Sequence, residues 1–207
     1  MLDVLLVQNP VTYSNRTSLV SDFPRLGLLY LGAVLERGGV SVEVLENRDR
    51  KYSLEQILSL ITEKNPLLSK KPLILGLSSM TSNMRGSYQL AKAVKDKFGD
   101  QISIGLGGPH VSADPEVIKR FPVFDWAVTG EAEITFPEVV KRIKGGERVR
   151  GIFQGQACSS LDELPFPAWH LVDWGRYQLR SNNIMASRGC PFRCIFCSIP
   201  AIERRTR

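Results

Sequence analysis

Over its first 145 residues the chain alternates between two hydrophobic rhythms, and this alternation limits the folds open to it more than any other feature. Short runs rich in Val, Ile and Leu stand at 3–7 (DVLLV), 41–45 (SVEVL), 73–78 (LILGLS), 102–106 (ISIGL) and 124–128 (FDWAV). Runs this apolar suit strands covered on both faces, as in a parallel sheet. Between them the period lengthens to that of a helix. Residues 26–37 are apolar nearly all round, which predicts a buried helix. Residues 53–64 open with Ser53-x-x-Gln56, a capping box flanked by a Tyr52–Ile57 staple, and place Leu54, Ile57, Leu58 and Ile61 on one face. Residues 84–98 align Leu90, Ala91, Val94 and Phe98. Asp114-Pro115-Glu116 reads as an N-cap followed by proline at the first helical position. In 133–144, Ile134, Val139, Val140 and Ile143 point inward, and Pro137 is tolerable only in the first turn.

Five strands alternating with five helices predict an α/β fold: a flavodoxin-like, doubly wound, five-stranded parallel sheet in the order 2-1-3-4-5. Past Gly145-Gly146 the alternation stops. Residues 147–182 contain Pro165, Pro167, Phe166, Trp169 and Trp174 with little periodicity, and read as an ordered linker, since aromatics need a surface to pack on. Residues 183–187 (NIMAS) read as a strand opening a (β/α) barrel over 183–207, which only 10 residues beyond Cys197 cannot complete. The expected domains are therefore 1–146, a linker at 147–182, and a truncated start at 183–207.

In open α/β sheets, ligands bind beyond the carboxyl ends of the strands. Four loops should share that rim. Asn9–Arg25 follows strand 1 and is long enough for a binding loop. Ser78-Ser79-Met80-Thr81-Ser82-Asn83 follows strand 3, Gly107-Gly108-Pro109-His110 follows strand 4, and Thr129-Gly130-Glu131 follows strand 5. Paired glycines let a ligand approach the backbone, and the hydroxyls can bond its polar edge; a turn and a helix cap would use the same residues. A dinucleotide fingerprint is absent. Gln8-Asn9-Pro10-Val11 stands where G-x-G-x-x-G would begin, and no G-x-x-x-x-G-K-[ST] loop occurs.

In layout, residues 1–145 resemble the cobalamin-binding domain that precedes many radical SAM enzymes. Ser78-Ser79-Met80 matches that family's segment after the third strand. Gly107-Gly108, continuing through Pro109 to His110, matches the fourth, and Gly130-Glu131 the fifth. The resemblance implies cobalamin contacts at these positions. Many cobalamin proteins carry Asp-x-His-x-x-Gly after the first strand, but residues 8–40 hold no histidine. The implied cobalamin is thus base-off and lacks a lower His ligand. His110 is read as a cap or a ligand contact, and His170 as packing.

Of the four cysteines, Cys190, Cys194 and Cys197 form C-x₃-C-x₂-C within eight residues, while Cys158 stands alone. A disulfide scaffold would spread its cysteines along a small secreted chain. Three thiolates on one loop can hold three corners of a [4Fe–4S] cluster and leave one iron open. Zinc is the competing occupant, but a closed zinc site would need to recruit Cys158 or His170. The spacing resembles the radical SAM signature. That resemblance implies a cluster on the three cysteines, S-adenosylmethionine (SAM) on the open iron, and Phe196 near its adenine. Reductive SAM cleavage would then give a 5′-deoxyadenosyl radical.

The chain is therefore expected to be the N-terminal part of a cobalamin-dependent radical SAM enzyme, catalysing methyl transfer, cyclisation or rearrangement of a small molecule with an electron donor such as flavodoxin or ferredoxin. The alternatives are a cobalamin-binding module without chemistry and a zinc-containing regulatory protein. Residues 1–140 carry 15 Lys/Arg against 16 Asp/Glu, and 141–207 carry 12 against 5. Those tail cations lack the stripe or interleaved aromatics of a nucleic-acid surface. Arg188 and Arg193 are instead expected to face the anionic cluster and the SAM carboxylate. With no apolar run of spanning length and an N-terminus unlike a secretory signal, a cytoplasmic location is expected.

Overall fold

The computed structural model describes residues 2–9, 23–47, 52–66, 68, 72–177, 182–202 and 206. Most of the loop after the first strand, expected at Asn9–Arg25, lies outside the described residues. The sheet comprises β1 (Val4–Gln8), β2 (Val42–Glu46), β3 (Leu73–Ser78), β4 (Ile102–Gly107), β5 (Trp126–Thr129) and β6 (Gly151–Gln154), all parallel, in the order β2-β1-β3-β4-β5-β6. Its helices are α1 (Leu26–Arg37), α2 (Leu54–Lys64), α3 (Met84–Phe98), α4 (Pro109–Ala113), α5 (Val117–Arg120), α6 (Thr135–Lys144) and α7 (Ile199–Ile202).

Burial on both faces is what the apolar runs require. Leu5, Val7, Leu75 and Ile104 pack with Ile57, Ile61, Leu90 and Val94 on one side of the sheet. Val4, Leu6, Ile74 and Trp126 pack with Leu28, Leu35, Phe136 and Val140 on the other. Successive strand residues alternate between these layers because side chains in a strand point to opposite faces.

The expected doubly wound parallel sheet is present, with one correction: it has six strands, not five. β6 lies inside residues 147–182 and pairs with β5 from Trp126↔Gly151 to Thr129↔Gln154. An edge strand is bonded on one side only, and this one is largely exposed, so it lacks the apolar run that marks a central strand. Residues 183–187, expected as a strand, have no ladder in the structure. A strand exists only beside a paired neighbour, and among the described residues none runs beside this segment.

The helices largely follow the sequence pattern. Pro137 falls in the first turn of α6, as required, although Phe136 rather than Ile134 is the residue buried there. Leu54 is exposed rather than inward. Asp114 caps no helix with its side chain: α5 is preceded by Glu116, and the Asp114 carboxylate is bound instead by Arg120. Proline does occupy a first helical position, at Pro109 of α4.

The capping box of α2 forms as expected. The Gln56 N–H donates to Ser53 Oγ at 3.2 Å, and the Ser53 N–H to Gln56 Oε1 at 2.8 Å. Ser53→Ala is expected to destabilise the protein by about 1 kcal/mol. In a chain of this size that lowers the thermal midpoint by roughly 2–4 °C, measurable by circular dichroism.

The segment after β6 folds back along α1. The Ala168 N–H donates to the Leu29 carbonyl at 3.1 Å, and Arg37 donates to the Glu163 carbonyl at 3.0 Å. Leu171 packs where a Cβ on Gly32 would lie only 2.8 Å from its Cδ1, so a glycine inside α1 makes room for it. The Tyr177 hydroxyl donates to Glu46 Oε2 at 2.6 Å, and Trp169 stacks on Trp174 at 5.9 Å.

Candidate functional site

The register of the sheet creates an opening at its carboxyl end. Leu6 pairs with Gly76, Gly76 with Gly105, and Gly105 with Trp126, so one row across β1, β3, β4 and β5 carries two adjacent glycines. Leu6 and Trp126 lean into the vacated space. A Cβ on Gly76 would lie 2.8 Å from Leu6 Cδ2, and one on Gly105 only 2.1 Å from Trp126 Cη2. The indole is fixed by its Nε1–H donating to Ser103 Oγ at 2.9 Å and by the Phe136 ring at 5.5 Å.

Two residues along each strand, on the same face, come Ser78, Gly107 and Val128. With no large side chains on β3 and β4 there, an open cleft of about 200 Å³ remains between the sheet and helices α1 and α6. Its floor is strand backbone, Leu6 and Trp126. Its walls are Leu28 and Leu31 of α1 and Phe136 of α6. Such a slot can take a flat, largely apolar group and offer backbone polar atoms to its edges.

The three rim loops are bonded to one another above this slot. The Ser79 N–H donates to the Gly107 carbonyl at 3.0 Å, and the His110 N–H donates to the Ser79 carbonyl at 3.0 Å. Ser79 is buried, its hydroxyl 2.6 Å from that of Ser87. The Met80 N–H donates to Asn83 Oδ1 at 2.8 Å, and buried Asn83 donates to the Asn9 carbonyl at 2.8 Å, tying in the end of β1. His110 Nδ1 lies 3.0 Å from Thr81 Oγ1. Ser112 joins the other two loops: its hydroxyl accepts from the Gly130 N–H at 2.8 Å and donates to the Gly108 carbonyl at 3.0 Å.

Gly108 adopts φ +93°, ψ −177°, a conformation reserved for glycine, and a Cβ there would sit 2.9 Å from Ser78 Oγ and the Ser79 backbone. Ser78, Gly107, Gly108, Gly130 and Glu131 all line one cleft. Ser79 and His110 hold the loops together around it, and Met80 is exposed at the rim.

Sequence reasoning missed the deeper half of the cleft. Gly76 and Gly105 each interrupt an apolar strand, which is a signal of close backbone approach. That they stand side by side depends on a register the sequence does not state. Ser112, Glu133, Tyr30 and Met185 were also not singled out.

Arg188 requires a correction. Rather than facing a cluster or a SAM carboxylate, its guanidinium turns into the mouth of the cleft. Nη1 lies 2.9 Å from Glu131 Oε2 and Nη2 lies 2.7 Å from Glu133 Oε1. The guanidinium also covers the Tyr30 ring at 5.2 Å. Burial would push its pKa down, but the hydrogen bonds and charges of Glu133 and Glu131 outweigh this and hold it above its ordinary value.

The cysteine loop lies beyond that anchor. Cys190 is half-buried, Cys194 and Cys197 are exposed, and all three thiols are free. The Cys197 N–H donates to the Cys194 carbonyl at 3.1 Å, bending the loop between them. Phe196 is 90% exposed. Among those residues no three His, Cys, Asp or Glu side chains are grouped to hold a metal ion. Cys158 is buried. Among the described residues no helix is long and apolar enough to cross a membrane.

Comparison with known proteins gives the cleft a context. The B12 binding domain family matches residues 15–140. An uncharacterized methyltransferase of Pyrococcus horikoshii, PH0819, is 29% identical over 216 residues, covering 96% of this chain and 45% of that protein. An anaerobic magnesium-protoporphyrin IX monomethyl ester cyclase of Rubrivivax gelatinosus is 26% identical over 218 residues, 94% of this chain and 38% of that protein. The chain thus spans less than half the length of these relatives. Among solved structures, the cobalamin-dependent SAM radical enzyme OxsB, with aqua-cobalamin and SAM bound, superposes with a TM-score of 0.65 over 95% of this chain and 28% of that one, at 20% identity. The match to OxsB shows a shared fold.

Proposed function

The chain belongs to the B12-binding domain family, and on that footing we propose that it holds cobalamin in the cleft over Gly76 and Gly105 within a cobalamin-dependent radical SAM enzyme. The observation that carries this reading is the glycine pair itself. Across Gly76 and Gly105 the Leu6 and Trp126 side chains lie low over the strands, and the open cleft above them gives a bound group a flat floor. Corrinoids carry a flat heterocyclic base on a nucleotide tail, which suits a slot floored by backbone and walled by Leu28, Leu31 and Phe136. Base-off binding fits a rim whose described histidine, His110, is engaged with Thr81.

The protein's own residues would divide the task. Gly107 and Gly108 let the ligand reach the backbone of β4, Ser78 offers a hydroxyl at the slot edge, and Ser112 holds the Gly130 turn in place. Residues 1–146 would form the cobalamin domain and 147–182 its connection, with 183–207 opening the radical SAM part. There Cys190, Cys194 and Cys197 would ligate a [4Fe–4S] cluster with one iron left to SAM, and Phe196 would cover the adenine. The three thiolates suit such a cluster chemically. When bound, the cluster supplies the electron for SAM cleavage and cobalamin supplies carbon transfer at cobalt. Methyl transfer is the reaction we assign to the whole protein, on a small-molecule substrate and with flavodoxin or ferredoxin as electron donor. Its relatives include both a methyltransferase and a cyclase.

The test is reconstitution without air. Incubated with hydroxocobalamin and desalted, the chain is expected to retain close to one cobalamin. Supplied with iron and sulfide, it is expected to bind about four irons. C190S/C194S/C197S should lose the iron and keep the cobalamin. No retained cobalamin overturns the reading of the cleft. Stoichiometric zinc in place of iron overturns that of the cysteines.

A further inference from the structure

Arg188 is 7% exposed, yet it stands three residues before a stretch that lies almost wholly in solvent, where Phe192, Ile195 and Phe196 are 69%, 103% and 90% exposed. A deeply buried charge thus ties down one end of an open loop whose other end runs into α7, packed against α4. Its partners come from elsewhere in the fold: Glu131 and Glu133 follow β5, and Tyr30 belongs to α1. A guanidinium meeting two carboxylates while stacking on an aromatic ring fixes direction as well as distance, which a lysine ammonium would not. Arg188, Met185, Glu131 and Glu133 also line the cleft, so whatever fills it lies against this contact.

Resting on the cobalamin reading above, we propose that Arg188 is a positioning residue: it latches the cysteine-bearing loop to the rim of the cobalamin cleft, so that filling the cleft and placing the thiols are coupled. A ligand that orders Glu131 and Glu133 stiffens the seat of Arg188, and through it the two-residue path to Cys190. By linkage the effect is reciprocal: a loop held by its cluster strengthens the cleft's hold on its ligand.

Amide hydrogen exchange read by mass spectrometry, with and without hydroxocobalamin, tests this on residues 184–198 and on the sheet strands separately. In the wild-type chain, cobalamin is expected to slow exchange across 184–198. In R188M the segment should exchange roughly tenfold or more faster than wild type without cobalamin, and cobalamin should no longer slow it. Protection of β1, β3 and β4 should be unchanged in that variant. R188K, which keeps the charge without the planar fork, should fall between the two. If R188M fails to fold because two carboxylates are left buried without their cation, R188M/E131Q/E133Q removes the whole set and is expected to give the same unlatched signature. Equal exchange of 184–198 in wild type and variant, with cobalamin retained, overturns the latch alone. So does a loss of protection spread evenly over the sheet, which marks a merely structural role. A wild-type chain that retains no cobalamin overturns the proposed function and the coupling with it, while the cobalamin-free comparison still reports on the anchor.

Discussion

Alanine at position 105 is expected to drive the Trp126 indole out of the floor of the cleft. The added Cβ would lie 2.1, 2.2 and 2.3 Å from three carbons of the six-membered ring, separations that no packing tolerates. The ring is rigid and hemmed in by Phe136, and its N–H is held by Ser103, so it cannot yield by a few tenths of an ångström. It must leave, giving up both its burial and its hydrogen bond. Overpacking combined with loss of a buried aromatic corresponds to about 3–4 kcal/mol. For a protein of this length that is a fall of roughly 6–15 °C in thermal midpoint. Tryptophan emission should shift to the red as Trp126 meets water, and cobalamin retention should be lost with the floor. Gly76→Ala is the informative companion, since its Cβ meets the movable end of Leu6 at 2.8 Å. It should cost under half as much. Equal midpoints for G105A and wild type would show that the indole has another place to go.

The second large effect belongs to the glycine pair at the rim, where neighbouring positions separate stability from binding. Gly108→Ala forces a side chain into a glycine-only conformation and sets its Cβ 2.9 Å from the Ser79 N and O atoms, which are backbone and cannot swing aside. The loops after β3 and β4 must part, breaking the bonds from Ser79 to Gly107 and from His110 to Ser79. Strain and clash together are expected to cost about 3–5 kcal/mol and to abolish cobalamin retention. Gly107→Ala differs in kind: its Cβ meets only the Val128 carbonyl, at an ordinary 3.9 Å. Its stability should stay within about 1 kcal/mol of wild type. Its cobalamin affinity should nevertheless fall at least tenfold, because the methyl occupies space the ligand needs. Undiminished retention in G107A would rule out close backbone approach at β4.

These effects were unevenly legible in the sequence. Strands buried on both faces advertise themselves, so β3 was bounded correctly, as were α1 and α3, and Ser53-x-x-Gln56 announced the start of α2. β6 was hidden because an exposed edge strand needs no apolar run, and α4 because Gly-Gly-Pro also reads as a turn. The rim residues Ser78, Gly107, Gly108, Gly130 and Glu131 were visible as loop chemistry at the ends of strands. The floor was not, since the contact of Gly76 with Gly105 is a matter of register between segments 29 positions apart. Arg188 was misread for a different reason. Charge in a basic tail signals a need for anions without saying which, and Glu131 and Glu133 meet that need from within the fold. The cysteine spacing specifies a donor set. Convergence of thiolates is a property the metal itself helps to create.

The strand order has a consequence for biosynthesis. β1 lies inside the sheet, and β3, β4, β5 and β6 are added beside it in the order in which they leave the ribosome. Each new strand therefore finds its neighbour already made, and the nascent chain can grow its sheet by accretion from one seed without waiting for a distant partner. The cleft comes late in that sequence, for it has no floor until Trp126 emerges and no guanidinium at its mouth until Arg188 follows.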